Sequence, residues 1–136
     1  MDDLKAFQYV STYRIVQEIA QGGMGKVYLA DQLGVAGYTK TVGIKTIRAE
    51  LVNSGVFRDL FIAEAKLVAD LIHENIQQVY QLIDMGGSFA IVMEWVHGIT
   101  FEDINQRLDE RNEYLPPELA VFMVSRAARA LSYAHK

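Results

Sequence analysis

The chain has 136 residues, of which 51% are hydrophobic, a net charge of −4 and no cysteine. That length bounds it to one domain or part of one, and that composition to a chain that folds. The missing cysteine excludes disulfides, thiolate metal sites and a cysteine nucleophile, and it suits a reducing cytoplasm. The acidic balance, with no run of Lys or Arg, argues against a nucleic-acid groove.

Residues 1–12 read as a short acidic lead-in, opening on Met1-Asp2-Asp3, with no apolar run that would make a signal peptide. Tyr13 to Ala20 alternates and predicts a first strand. Gly22-Gly23-Met24-Gly25 is the turn after it, and Lys26 to Asp31 alternates again, with Val27 and Leu29 on one face of a second strand. Gln32 to Tyr38 reads as a loop, and the β-branched stretch Thr39 to Ile47 as a third strand. A glycine-rich turn between strands can lie over a phosphate chain, because bare backbone N–H groups approach oxyanions where side chains would obstruct them. Two other phosphate-binding arrangements fit less well. A dinucleotide fold needs a helix opening at the glycines, whereas Val27-Tyr28-Leu29 has strand character. A P-loop needs Gly-Lys followed by Ser or Thr, and Gly25-Lys26 is followed by Val27.

Ser54 to Ile72 is strongly helical, with Leu60, Leu67, Val68 and Leu71 expected on one face and Glu64 in the middle of it. A carboxylate in an apolar stripe is costly unless a cation meets it. Lys45, within Val-Gly-Ile-Lys-Thr-Ile, poses the mirror problem in a strand covered on both faces. Either Glu64 reaches solvent at a helix edge and Lys45 lies on a surface strand, or the two pair. In the second case Glu64 holds the ammonium toward a phosphate oxygen, and the face shared by Gly43 and Lys45 floors a ligand site.

His73-Glu74-Asn75-Ile76 ends the helix, the histidine being a helix-terminal hydrogen-bonding group with no second metal ligand at a suitable spacing. Gln77 to Ile83 and Ser88 to Val96 are expected as fourth and fifth strands around a hairpin turn at Asp84 to Gly87. Thr100 can cap a short helix in a capping box with Asp103. Asn105 to Glu113 reads as a solvated polar stretch. Pro116-Pro117 start a last helix, and Leu119 to Ala134 is apolar nearly all round, as in a helix that sits inside a larger body. Its longest apolar run, Leu119 to Val124, is far too short to span a bilayer.

Taken together, these motifs resemble the small lobe of a protein kinase, specifically the bacterial serine/threonine type. Ala20, Gly22, Gly25 and Val27 fall on the G-x-G-x-x-G-x-V loop, and Gly23-Met24 and Tyr28 are similar to its bacterial form. Val42-Gly43-Ile44-Lys45 looks like V-A-I-K, Glu64 stands where the family's helix glutamate stands, and His73 to Ile76 resembles H-P-N-I. Val92-Met93-Glu94-Trp95-Val96 looks like the end of strand five, with Met93 as gatekeeper and Glu94 to Val96 as hinge. Leu131 to His135 resembles the end of the helix preceding the catalytic loop. Twenty residues separate Gly25 from Lys45, and nineteen separate Lys45 from Glu64.

The resemblance implies an α+β fold: a five-stranded antiparallel sheet with one long helix over 13–96, then the start of a large lobe over 97–136. It implies ATP as ligand and proteins bearing Ser or Thr as substrates. Backbone groups of Gln21, Gly22, Gly23, Met24 and Gly25 would cover the phosphates. Lys45 would bind them and Glu64 would lock the lysine. Ala20 would open the loop over the nucleotide, Ile19, Val27, Gly43 and Met93 would surround the base, backbone groups of Glu94 and Val96 would meet its edge, and Thr100 would lie near the ribose. The family's H-R-D-x-x-x-x-N and D-F-G, which supply the base and hold Mg²⁺, have no counterpart here, so no metal ligand is assigned. The chain alone is therefore expected to bind ATP weakly and to transfer no phosphate. A non-catalytic scaffold module is the alternative function. The last helix is expected to drive self-association. A cytoplasmic location is expected, with membrane anchoring of the parent by other segments left open. Ala20, standing where the family has glycine, is expected to stiffen the loop, and Gly43, in place of alanine, to loosen the wall against the base.

Overall fold

The computed structural model describes residues 13–23 and 25–136, so the lead-in over 1–12 and Met24 lie outside the described residues. Two units are distinct: residues 13–72 with 77–95, and residues 73–76 with 96–136.

The first unit is built on five strands: β1 (Tyr13–Gln21), β2 (Gly25–Leu33), β3 (Thr39–Ile47), β4 (Val79–Asp84) and β5 (Phe89–Glu94). They form one antiparallel sheet in the order β1-β2-β3-β5-β4. Alternation in β3 divides its side chains between two faces. Val42 and Ile44 are buried with Tyr13, Ala30, Ile83, Ala90 and Val92 on one face, while Ile47 joins Phe61, Ala65 and Ile91 on the other. β1 and β4 stand at opposite ends of the strand order, yet the Tyr13 hydroxyl reaches Gln81 Oε1 at 3.3 Å, so the sheet coils its two edges toward each other. Register shifts between Ile15 and Gln17 and between Glu18 and Ala20 interrupt the β1 pattern and leave Val16 and Ile19 exposed.

Two helices follow β3: the short α1 (Ala49–Val52) and α2 (Gly55–Ala69). The buried side of α2 is Phe61 and Ala65, which pack on Ile47 and Ile91. Leu60 and Leu67, expected inward, are 53% and 75% exposed. The reason is angular: at 100° per residue, Phe61 and Ala65, four apart, set the contact line, and Leu60 and Leu67 fall to one side of it. Element boundaries also differ from the expected ones. β2 runs on to Leu33, the supposed loop holds a 3-10 turn at Val35–Gly37, β4 begins only at Val79, and β5 ends at Glu94. The hairpin turn is fixed by Asp84 Oδ1, which accepts from Gly86 N at 2.9 Å and Gly87 N at 3.0 Å, and both glycines take positive φ.

The second unit contains α3 (Phe101–Glu110) and α4 (Pro117–Ala134). Thr100 caps α3 as expected. Its Oγ1 accepts from Asp103 N at 3.0 Å, and Asp103 Oδ2 accepts from Thr100 N at 3.1 Å. The helix then runs through Glu110, taking in two thirds of the stretch expected to be merely polar. Residues 73–76 dock on α4 through Arg126 Nη1 to Glu74 Oε1 at 2.8 Å, with the His73 and Tyr133 rings 5.1 Å apart. His73 Nδ1 accepts from Asn75 N at 3.0 Å, but it lies three residues beyond the Asp70 cap of α2, so it braces the turn after the helix rather than the helix end expected of it. Nothing in α4 is buried; Val121 and Val124 are 69% and 67% exposed.

Candidate nucleotide site

The glycine-rich stretch closes the β1–β2 hairpin, with Gly22 N donating to Gly25 O at 2.8 Å. None of Gly22, Gly23 or Gly25 takes positive φ, and neither does Ala20. Conformational freedom is thus not what the described glycines supply. At Gly25 the reason is space: a Cβ there would stand 2.0 Å from Thr46 O, because β2 and β3 meet closely where Gly25 pairs with Ile47. Ala20 pairs with Val27 directly after the register shift in β1, and its φ is not positive, so alanine is accommodated there without left-handed backbone. An ion pair beside the turn, Lys26 Nζ to Glu18 Oε2 at 3.1 Å, joins the two strands. The Glu18 hydrogen bond, followed by its charge, raises the Lys26 pKa above the usual lysine value.

Register then sets the floor. Val27 pairs with Lys45 and Leu29 with Gly43 across β2 and β3, and Gly43 pairs with Met93 across β3 and β5. Paired residues share a face, so Val27, Lys45, Gly43 and Met93 stand together on the α2 side of the sheet. Lys45 Nζ lies 2.6 Å from Glu64 Oε1 on α2 and 6.0 Å from the centre of the Phe61 ring. The lysine side chain is 24% exposed and the glutamate 44%. Neither is on an outer surface remote from the other, and neither is sealed from solvent. A half-exposed pair of this kind adds about 0–1 kcal/mol to stability, so its geometry matters more than its energy.

The space above Gly43 is not left open. A Cβ there would lie 3.3 Å from Met93 Cγ and 3.6 Å from Met93 Cε, so the methionine already leans over the glycine. The wall expected to be loose is filled by a thioether. Glu94 is held on three sides: its N–H donates to Gln78 O at 2.8 Å, its Oε2 accepts from Gln78 N at 3.2 Å, and its carbonyl accepts from Gln77 Nε2 at 2.8 Å. Sequence reading did not single out Gln77 or Gln78, because two polar residues at a strand entry carry no periodic signal.

Ile19, Ala20, Gln21, Gly22, Gly23, Gly25, Val27, Gly43, Lys45, Glu64, Met93 and Glu94 all belong to the first unit. Val96 and Thr100 belong to the second, where the Thr100 hydroxyl serves the α3 cap. A separate cleft of about 630 Å³, lined by Asn53, Arg58, Met85 and Ser88 among others, includes none of these residues. Among the described residues, no three His, Asp or Glu side chains stand close enough to hold a metal ion. The described residues therefore do not supply a donor set for a resident Mg²⁺.

The description "Protein kinase domain" belongs to the family model that matches residues 13–136. The chain belongs to the protein kinase family. It is 34% identical over 124 residues to the tyrosine-protein kinase MasK of Myxococcus xanthus, covering 91% of this chain and 19% of that protein. It is 34% identical over 134 residues to the serine/threonine-protein kinase PknJ of Mycobacterium tuberculosis, covering 98% of this chain and 21% of that protein. The PknI kinase domain of M. tuberculosis superposes with a TM-score of 0.67 at 28% identity, over 90% of this chain and 48% of that one. This protein kinase chain thus spans about a fifth of these curated relatives and about half of the solved domain. The five-stranded antiparallel sheet with its long helix is the kinase small-lobe fold. Among the described residues, no helix is long and apolar enough to cross a membrane.

Proposed function

We propose that this chain is the ATP-binding part of a serine/threonine protein kinase whose whole protein transfers the γ-phosphoryl group of ATP to a Ser or Thr hydroxyl. The observation that carries the reading is the 2.6 Å contact between Lys45 and Glu64, on the sheet face beside the glycine hairpin. The hydroxyl oxygen bonds to the γ-phosphorus and gives up its proton to a base outside this chain, the bond to the β–γ bridging oxygen breaks, and ADP leaves. This chain's part is binding and orientation. Backbone N–H groups of Gln21 to Gly25, other than that of Gly22, which closes the hairpin, cover the phosphates, and Lys45 opposes their charge without reorganising, because Glu64 already fixes the ammonium. Val27, Gly43 and Met93 supply apolar surface against the base.

The 136 residues hold no H-R-D-x-x-x-x-N and no D-F-G. By themselves they bind ATP weakly and turn nothing over. Saturable ATP binding by the purified chain, weakened by Lys45→Met, with no label transferred from ATP to a generic protein substrate, is the expected result. Absence of any saturable binding, or clear turnover by the pure chain, overturns the reading. The choice of Ser/Thr follows the name of PknJ, whereas MasK is named a tyrosine kinase. Phosphoamino-acid analysis of the whole kinase's product tests that choice. ATP use and a chain without cysteine fit work in the cytoplasm. The exposed row on α4 supports a second reading, an interaction module in which that helix pairs with another copy.

A further inference from the structure

Gln77 stands just before β4, outside every residue assigned above. Its Nε2 donates to the Glu94 carbonyl at 2.8 Å. With Gln78 engaging the Glu94 N–H and carboxylate, the dipeptide 77–78 takes up the backbone donor, the backbone acceptor and one side-chain oxygen of a single residue. The ATP-site reading puts backbone groups of Glu94 at the edge of the base, and the carbonyl is the one that can accept from it. Adenine would meet it with an exocyclic amine conjugated to its ring. The carboxamide of Gln77 is a donor of the same kind: planar, neutral and bearing two N–H bonds. One donor is tethered to the protein, and the other arrives with the ligand.

We propose that Gln77 is a specificity-determining residue, whose carboxamide competes with an amino-bearing base for the Glu94 carbonyl. The inference rests on the ATP-site reading above. Gln77 is exposed, so when displaced its amide returns to water and the carbonyl exchanges one neutral bond for another. The competitor lowers affinity only for bases that need the oxygen. A base with no donor at that position gains nothing when Gln77 is removed. Gln77 thus narrows the margin by which an amino-bearing purine is preferred.

The test compares ATP with inosine triphosphate, which carries a carbonyl in place of the amine, on the 136-residue chain. Gln77→Ala is expected to tighten ATP about threefold to tenfold, the worth of one neutral exposed hydrogen bond, and to leave inosine triphosphate within about twofold. Gln77→Met, which keeps the length and removes the donor, should behave the same way. Unchanged or weaker ATP binding in both variants overturns the inference, as it would if the oxygen served both donors at once. An equal shift for the two nucleotides also overturns it, since a general structural change would move both. If the unaltered chain binds neither nucleotide saturably, the ATP-site reading fails and this inference falls with it. If ATP binds but selectivity does not respond to Gln77, only this inference fails.

Discussion

Gly25 and Gly43 lack a side chain for different reasons, and the difference is measurable. At Gly25 an added methyl meets a carbonyl oxygen of the neighbouring strand at 2.0 Å, so backbone must move. Gly25→Ala is expected to lower stability by about 3 kcal/mol, read from urea unfolding. At Gly43 the obstacle is the Met93 thioether at 3.3 Å, a flexible group that can turn away. Gly43→Ala should cost about 1 kcal/mol or less in the same experiment. Equal losses at both positions would contradict this account. Lys45 separates position from stability in another way. Because its pair with Glu64 is partly exposed, Lys45→Met should change unfolding free energy by less than about 1 kcal/mol. It should still weaken ATP about tenfold at low salt while leaving adenosine, which lacks phosphates, unchanged. A matching loss for adenosine would show that the lysine shapes the fold rather than meeting the phosphates.

At the scale of elements, α2 is held by one aromatic residue. Phe61 is fully buried between Ile47, Ala65 and Ile91, so Phe61→Ala should cost about 3–5 kcal/mol and loosen the helix that carries Glu64. Amide exchange along residues 55–69 reports that loosening directly. The cap of α3 has a pH signature. The Thr100 side chain, then its backbone N–H, holds the Asp103 carboxyl below the ordinary aspartate value. A lowered pKa means the capping box is intact above pH 3.8 and is lost as pH falls through the lower, folded value. The α3 amides should lose protection in that acidic window, and Asp103→Asn should abolish the dependence. The same elements show where sequence pattern informs and where it stops. Thr39–Ile47 is readable residue for residue, because six of its nine residues are β-branched. The Thr100 cap was readable because its chemistry is local. α1 was not, since four residues make one turn and show no period. The inward side of α2 is not legible in the sequence, because leucines outnumber the phenylalanine that packs, and only tertiary contact decides which row turns inward. The Lys45–Glu64 partnership could be framed from two misplaced charges, but the clasp of Gln77 on Glu94 left no trace in hydrophobicity.

At the scale of the molecule, the first unit has a core on both faces of its sheet, while the second presents α4 with no residue buried. Leu119, Val121, Phe122, Val124 and Leu131 are all exposed there. We expect the chain to associate with itself at micromolar concentration, with Val124→Glu and Leu131→Glu shifting it toward monomer in sedimentation velocity. A monomer without those substitutions would rule this out. The tie between Tyr13 and Gln81 has a consequence in time. The two residues lie 68 positions apart and bring together strands that open and close the strand order. A ribosome adding about 5–20 residues per second needs roughly 3–14 s to go from the tyrosine to the glutamine. Through that interval the nascent first hairpin has one flank of its core still unmade, and a chaperone that shelters emerging apolar surface would find its target there.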